Sequence, residues 1–194
     1  MVSRRESKEV TREKVLAAAS GLFTTRGYRE TTVREIAALA DVSVGSVMAV
    51  GDKPTLLISV FDQAVAAIQQ ERRGGNSSSV GEGVGVDGMA QLVDPYLTLF
   101  TDRIDLAREY AAIMMSGSHR SAVFGELSVE LRADMAEAAR TAGVPEARVE
   151  LAAKAAYFAY LGTLFFGAAQ GSTTGTEVQD DLTSVVEYIF SSRK

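Results

Sequence analysis

The chain of 194 residues has no cysteine and no tryptophan, and its single histidine is His119. Without cysteine it can build neither a disulfide nor a thiolate nucleophile or thiolate metal site. One histidine without carboxylates at ligand spacing also makes a poor metal site. We therefore predict that the protein binds no metal and no cofactor.

Two further absences concern catalysis and membranes. The sequence has no Ser-His-Asp spacing, and the glycine-rich stretch Gly81 to Gly85 lacks the preceding strand and following helix of a nucleotide fingerprint. No apolar run reaches the roughly 20 residues of a membrane span, and the first residues are charged where a signal peptide would be apolar. We predict a cytoplasmic protein that is not an enzyme.

Charge is distributed unevenly along the chain. Residues 1–53 carry nine Lys or Arg against seven Asp or Glu, whereas residues 54–194 carry eleven against eighteen. The first part is thus slightly basic within a protein of net charge −5. It is better suited to an anionic partner than the rest, although so small an excess identifies none.

A first helix is predicted between Thr11 and Gly27. Threonine is a good N-cap residue, and glycine commonly ends a helix. Apolar residues recur between them at the three- and four-residue spacing of one helix face. These apolar residues are Val15, Leu16, Ala19, Leu22 and Phe23.

Two shorter helices are predicted directly after the first. Thr32 and Glu35 have the spacing of a capping box, in which each side chain bonds a free backbone N–H at the start of a helix. This box would open a helix over Val33 to Ala40. Ser43 can cap the next one, at about Val44 to Ala49, and the tight turn between the two is typical of a helix-turn-helix.

The remainder of the chain also has helical periodicity, and no alternating pattern indicates a strand. A fourth helix would begin at Asp52-Lys53-Pro54, since proline is tolerated in a first turn, and run to about Arg73. Residues 74–88 are rich in glycine and serine and should form a flexible loop. We predict an all-α protein of about nine helices, with a helix-turn-helix module over 1–53 and a larger helical domain over 54–194. The later helices are expected at about 89–101 with a bend at Pro95, 103–115, 122–142, 145–170 and 177–192.

A set of spaced residues in the first quarter of the chain is specific as a set. It consists of Thr11-Arg12, Leu22-Phe23, Arg26-Gly27-Tyr28, Thr31-Thr32-Val33, Ile36-Ala37, Ala40, Val42-Ser43, Gly45 and Leu56-Leu57. This set resembles the N-terminal domain of TetR-family transcriptional regulators. The resemblance implies a homodimeric, ligand-responsive DNA-binding protein, in most cases a repressor, whose helical domain over 54–194 binds the ligand and forms the dimer.

The resemblance also implies which residues meet a double-stranded DNA operator. Thr32 and Ser43 would face phosphates at helix N-termini, and Lys53 would meet the DNA backbone. For Thr32 and Ser43, helix capping explains the residue type equally well. The expected DNA-contacting residues are Thr31, Thr32, Arg34, Ser43, Val44, Gly45, Ser46, Met48 and Lys53, supported by Arg4, Arg5 and Lys8 of a basic arm.

The segment 44–53 departs from the family. Family members usually have a tyrosine where Met48 stands, a tyrosine or histidine near Val50, a phenylalanine where Gly51 stands, and one more residue before the lysine. Ser46 is the only side chain inside the third helix that could hydrogen-bond a base edge. Either DNA binding persists through contacts to thymine methyls, DNA shape and the basic arm, or specific binding has weakened and the C-terminal domain carries the function. Met48 could also simply fill the core.

The helices between residues 89 and 170 are rich in aromatic residues and methionine. Most of these side chains should be ordinary core, but large soft side chains also line apolar ligand sites, and the resemblance implies an effector pocket. The expected lining is Tyr96, Phe100, Tyr110, Met114, Phe124 and Tyr157, with Arg103 or Arg108 as a polar contact.

The last two helices are the candidates for a homodimer interface through 145–170 and 177–192. In the family a pair of such helices from each subunit forms a four-helix interface, which matches two DNA modules to two half-sites. The alternative is that the same faces pack within one chain. The small residues are Ala152, Ala153, Ala155, Ala156, Ala159, Gly162 and Gly167, and the apolar stripe on the last helix is Leu182, Val185, Val186, Ile189 and Phe190.

Overall fold

The computed structural model describes residues 4–74, 85–170 and 175–191, and within these ranges it has nine helices and no strand. The all-α prediction is therefore confirmed. Most of the predicted loop over 74–88 lies outside the described residues. The helices are α1 (Arg4–Arg26), α2 (Val33–Ala40), α3 (Val44–Val50), α4 (Lys53–Gly74), α5 (Val86–Thr101), α6 (Ile104–Ser116), α7 (Phe124–Thr141), α8 (Glu146–Gln170) and α9 (Gly175–Phe190).

The start of α1 differs from the prediction. The helix begins at Arg4, so Thr11 lies inside it, and the Thr11 hydroxyl donates to the carbonyl of Ser7 at 2.8 Å instead of capping. The preceding residues include arginine, glutamate and lysine, which are good helix formers and extend the helix without an apolar pattern. The end of α1 was predicted correctly: Gly27 follows it with φ of +87°, and its N–H donates to the carbonyl of Phe23.

The described chain forms two compact units. The N-terminal unit comprises Met1–Ala64 and Asp105–Ala122, and the C-terminal unit comprises Val65–Ile104 and Val123–Lys194. This division differs from the expected boundary after residue 53, because α6 and the segment after it group with the first helices. The unit boundaries also divide α4, so that each unit includes part of this helix.

Contacts with α4 explain why α6 groups with the N-terminal unit. Tyr110 of α6 packs on Phe61 of α4, with ring centroids 4.6 Å apart. Asp62 accepts hydrogen bonds from the Ser121 hydroxyl at 2.5 Å and the Ala122 N–H at 2.9 Å. Burial, reinforced by the charge of Asp62, raises the pKa of Tyr110, as expected for a phenol held in a core.

The helix-turn-helix has its own apolar core. Helices α1, α2 and α3 contact one another, and Leu56 and Leu57 in the first turns of α4 are also buried in the N-terminal unit. Each residue in this core comes from the inward face of its helix. The buried side chains are Val15, Leu16, Ala19, Phe23, Ile36, Ala37, Ala40, Val47, Leu56 and Leu57.

The C-terminal unit is built around α5, which contacts α7, α8 and α9. The last turns of α4 are tied to this unit by polar bonds. Arg72 donates to the Tyr96 hydroxyl and to Asp134, while Gln69 and Arg73 both bond Glu130. The apolar core around α5 consists of Met89, Leu92, Val93, Tyr96, Leu97, Phe100, Leu127, Leu131, Met135, Val149, Ala153, Ala156, Tyr160, Leu164, Leu182, Val186 and Phe190.

The stretch Glu146–Phe166 of α8 is long and apolar enough to cross a membrane by length and composition alone. It packs on α7 and α9, however, and Lys154 is exposed on its surface. A core helix of a helical bundle has the same composition, and this packing favours that interpretation.

Candidate nucleic-acid interface

The capping box at the start of α2 is confirmed. Thr32 accepts from the backbone N–H of Glu35, and the Glu35 carboxylate accepts from both the N–H and the hydroxyl of Thr32 at 2.8 Å. These bonds, the backbone one first, lower the pKa of Glu35, and Arg26 adds an ion pair. Thr32 is exposed, but its only hydroxyl proton is already donated to Glu35. Capping is therefore its observed role.

Ser43 caps α3, as predicted. Its hydroxyl accepts from the N–H of Ser46 at 3.0 Å, and the two serine hydroxyls share a hydrogen bond of 2.9 Å. Ser46 is half-buried and lines a groove that α3 forms with α1. The side chain expected to hydrogen-bond a base is thus bonded to its own helix cap.

The outer face of α3 consists of Val44, Gly45, Met48 and Ala49, which are all exposed. Val44 and Met48 are one helical turn apart, and 43% and 51% of their surfaces are accessible. Met48 therefore does not fill the core, whereas Val47 on the opposite face is completely buried. The outer face of α3 presents methyl groups, a thioether and bare backbone, and no hydroxyl, amide or charged side chain.

Basic side chains border this face. The groove between α1 and α3 has a volume of about 440 Å³, and Lys8, Arg12 and the acidic Glu9 line it together with Ser46 and Ala49. Arg5 is exposed further along α1, and Arg34 is exposed on α2. Arg12 was not among the expected DNA-contacting residues. Because α1 begins at Arg4, residues 5, 8 and 12 lie on one face of the same helix. Arg12 could have been grouped with the basic arm only if the start of this helix had been predicted correctly.

Lys53 has a different role from the one that the resemblance implies. Its ammonium donates to the backbone carbonyls of Tyr28, Arg29 and Thr31 at 2.9, 3.3 and 2.9 Å. It also lies 4.4 Å from the centroid of the Tyr28 ring. An ammonium has three N–H donors, and all three are used on the turn between α1 and α2. Lys53 in this arrangement fixes that turn and leaves no donor for a DNA phosphate.

Thr31 also lies where it cannot contact DNA. Its side chain is buried, with 1% of its surface accessible, and its hydroxyl donates to the carbonyl of Gly27 at 2.8 Å. The hydroxyl is satisfied inside the same turn whose carbonyls bind Lys53. Thr31 is therefore a structural residue of the turn, contrary to the expectation.

Gly51 and Asp52 form the junction between α3 and α4. A Cβ on Gly51 would lie 2.6 Å from Cγ2 of Thr55, so a larger residue cannot be accommodated here without movement. Thr55 is held by Asp52, whose Oδ1 accepts from its hydroxyl at 2.5 Å and its N–H at 2.9 Å. These two bonds, followed by a hydrogen bond from His119, lower the pKa of Asp52. The tight junction accounts for glycine at the position where the family has phenylalanine.

The residues expected to line an effector pocket fall in both units. In the N-terminal unit, Tyr110 is buried against Phe61, Met114 is half-buried, and Arg108 pairs with Asp105 on its own helix. Arg108 also lines a groove of about 440 Å³ with the turn between α1 and α2, where Arg29 pairs with Glu109.

In the C-terminal unit, Tyr96, Phe100 and Tyr157 are buried, while Arg103 and Phe124 are half-buried. Phe165, which was not among the expected residues, lies 6.5 Å from the rings of both Phe100 and Phe124. Arg72 is a further polar group that sequence reasoning missed. Its pairing with Tyr96 depends on two helices meeting, which no local pattern reveals.

The predicted dimer faces are used mainly within the chain. On α8, Ala152, Ala153 and Ala156 are buried, and on α9 the same holds for Leu182, Val186 and Phe190. The burial of Gly167 lies outside what the structure describes. A set of large apolar side chains, of which only Val185 belongs to the predicted faces, remains exposed on these two helices, with between 46% and 70% of each surface accessible. It comprises Leu151, Phe158 and Phe166 on α8 and Val185 and Tyr188 on α9.

Residues 15–49 match the family of bacterial regulatory proteins described as the tetR family. No curated protein sequence matches the chain. Among solved structures, the chain is similar to BioQ with its natural double-stranded DNA operator, with 21% identity, coverage of 92% of this chain and 96% of that one, and a TM-score of 0.55.

Two other solved structures are similar over nearly the whole chain. One is a protein from Rhodococcus sp. RHA1 described provisionally as a transcriptional regulator, with 20% identity, coverage of 92% and 94%, and a TM-score of 0.59. The other is a complex of SmeT with triclosan, with 21% identity, coverage of 92% and 89%, and a TM-score of 0.51. At these identities the likeness shows the fold, a helix-turn-helix followed by a helical domain.

Proposed function

We propose that this chain, whose residues 15–49 match the tetR family, is a cytoplasmic homodimeric repressor that a small, largely apolar molecule releases from its operator. The observation that carries the proposal is the exposed outer face of α3, bordered by Lys8 and Arg12. An exposed helix face flanked by cations fits the major groove and the phosphates beside it.

DNA binding is tested by gel shift and fluorescence anisotropy on the DNA that flanks the gene of this protein, with random DNA as competitor. We expect a specific complex whose affinity falls with salt, because lysine and arginine release counterions from phosphates. Lys8→Ala should weaken binding to all sequences and reduce the salt slope by about one. Absence of any sequence-specific complex over the accessible protein concentrations would overturn the proposal.

The homodimer rests on the exposed apolar side chains of α8 and α9. Helix α8 is apolar on nearly all sides, and one side is already buried in its own chain. A helix of this kind is normally covered on its other side too. Phe158 on α8 and Val129 on α7 are both exposed apolar side chains, with 58% and 67% of their surfaces accessible. Because α7 is not part of the proposed interface, the same substitution at Val129 is a matched control. We expect Phe158→Glu to shift the protein to monomer in sedimentation, and Val129→Glu to leave the dimer intact.

The effector is assigned to the helical body. Two buried tyrosines and the cluster of Phe100, Phe124 and Phe165 supply apolar surface there, and one solved structure of the same fold is a complex with triclosan. A ligand releases the operator only if it binds the DNA-free conformation more tightly. A thermal-shift screen of apolar compounds should find ligands that stabilise the protein and weaken the DNA complex in the same concentration range.

A second function is supported by the composition of the outer face of α3. Since this face has no hydrogen-bonding side chain, the protein could be a small-molecule-binding member of the same fold that has lost specific DNA recognition. That alternative predicts ligand-dependent stabilisation without a sequence-specific DNA complex. The gel shift and the thermal-shift screen together distinguish the two functions.

A further inference from the structure

The outer face of α3 has a chemistry that matches one feature of DNA in particular. Val44 and Met48 project from it one turn apart, and the helix has no side chain there that donates or accepts a strong hydrogen bond. In the major groove, the base pairs differ in donors, acceptors and one apolar group, the C5 methyl of thymine. An apolar face can distinguish base pairs only through that methyl and through local shape.

The two nearby hydroxyls, those of Ser43 and Ser46, do not change this conclusion, because Ser43 is the cap of α3 and accepts from its backbone. Ser46 is half-buried, and it forms a hydrogen bond with the hydroxyl of the Ser43 cap at 2.9 Å. Its side chain lines the groove between α1 and α3 and is therefore not part of the exposed outer face. Among the charged side chains that line the groove between α1 and α3, Lys8 and Arg12 are cationic and Glu9 is anionic, which leaves a net positive charge. Cations in that position suit phosphates, which carry no sequence information.

Gly45 adds an independent observation. A Cβ at this position would be 3.7 Å from Oγ of Ser43, an ordinary contact, so packing within the protein does not require glycine. Glycine in a helix is less stable than alanine. The bare backbone on the outer face of α3 is consistent with a partner surface that approaches more closely than a methyl group would allow.

We propose that Val44 and Met48 select operator half-sites by packing on thymine C5 methyls, so that thymine is specified at two or more major-groove positions without a hydrogen bond to any base. This inference rests on the proposed DNA-binding function. It assigns the sequence information of the interface to Val44 and Met48, and it assigns the affinity that is independent of sequence to Lys8 and Arg12.

The test begins with sites selected from random DNA by the purified protein. In one selected duplex, each thymine is replaced in turn by deoxyuridine, which keeps the base pair and removes only the methyl. We expect about a fourfold loss of affinity at each contacted thymine, the factor that follows from burying one methyl-sized group, and no loss at thymines outside the site. With Met48→Ala, at least one of these deoxyuridine penalties should disappear.

Val44→Ala should abolish a penalty at a different position, and Val129→Ala, the same change at an exposed site on α7, should abolish none. The outcomes separate the two levels of the proposal. Failure to select any site would overturn the regulatory function itself. A specific site that tolerates deoxyuridine at every position, or penalties that persist unchanged in both variants, would overturn the thymine-methyl inference and leave DNA binding in place.

Discussion

Replacing Gly45 by alanine should separate the stability of the protein from its function. The new methyl group meets only Oγ of Ser43, at 3.7 Å, and the residue lies inside α3. Glycine inside a helix costs about 0.5–1 kcal/mol relative to alanine. Because Gly45 is the second residue of a short helix, we expect Gly45→Ala to raise the free energy of unfolding by about 0.5 kcal/mol, the lower end of that range.

The same methyl should weaken the DNA complex. It stands on the outer face of α3, and an extra methyl in a closely packed contact costs about 1 kcal/mol or more, a factor of at least about five in Kd. Gly21→Ala is the matched control, because Gly21 is an exposed glycine inside α1 and a Cβ there would meet no atom of another element within 4 Å. It should stabilise the protein and leave the Kd unchanged.

Urea denaturation measures the stabilities, and anisotropy on a selected operator measures the affinities. Two results would refute the reasoning in different ways. If both alanine variants bind DNA as tightly as the original protein, the bare backbone at Gly45 is not approached by the DNA. If Gly45→Ala is less stable than the original, α3 has a constraint at this position that helix propensity and the nearest contact do not describe.

Three further predictions concern the supports of the outer face of α3. Lys53→Met should lower the free energy of unfolding by about 2 kcal/mol in urea denaturation, because three carbonyls lose a charged donor. Lys8→Met is the control and should change only the DNA affinity. Equal stabilities for the two variants would contradict the structural role of Lys53. Gly51→Ala should lower the melting temperature, and Thr55→Ser in the same chain should recover part of the loss by removing the Cγ2 atom that lies 2.6 Å from the new Cβ. The pKa of Asp52 is lowered in the folded state, so the stability that Asp52 contributes is complete above its usual pKa of 3.8 and is lost as the pH falls from there through the folded-state pKa. Asp52→Asn should therefore reduce the loss of stability at acid pH. An unchanged loss would show that the bonds to Thr55 do not stabilise the fold.

The parts of the fold that sequence reasoning predicted are those fixed by neighbouring residues. The capping box of Thr32 and Glu35 spans three residues, and the Ser43 cap spans another three, so each can be recognised from residue type and spacing. The helical periodicity that predicted nine helices is also a local signal, because it depends on apolar residues three and four positions apart. The beginning of α1 was missed because its first turns have no apolar face, so periodicity gave no signal there.

The parts that were not predicted depend on residues far apart in the chain. Lys53 bonds carbonyls more than twenty residues earlier, and a lysine at the start of a helix carries no mark of that use. The burial of Thr31 follows from the same turn. The pairing of Tyr110 with Phe61 likewise requires α6 to return to α4. Such contacts are determined by tertiary packing, which the type of a single residue does not encode.

The way in which Lys53 fixes the turn between α1 and α2 limits how the N-terminal unit could be exchanged between proteins of this fold. A crossover between residues 52 and 53 would separate the turn from the ammonium that binds three of its carbonyls. A crossover a little later would keep Lys53 but give Phe61 and Asp62 foreign partners in place of Tyr110 and Ser121. A working hybrid of this protein therefore needs two grafted segments, one at each of these places in the gene. Recombination with a single breakpoint should seldom produce one.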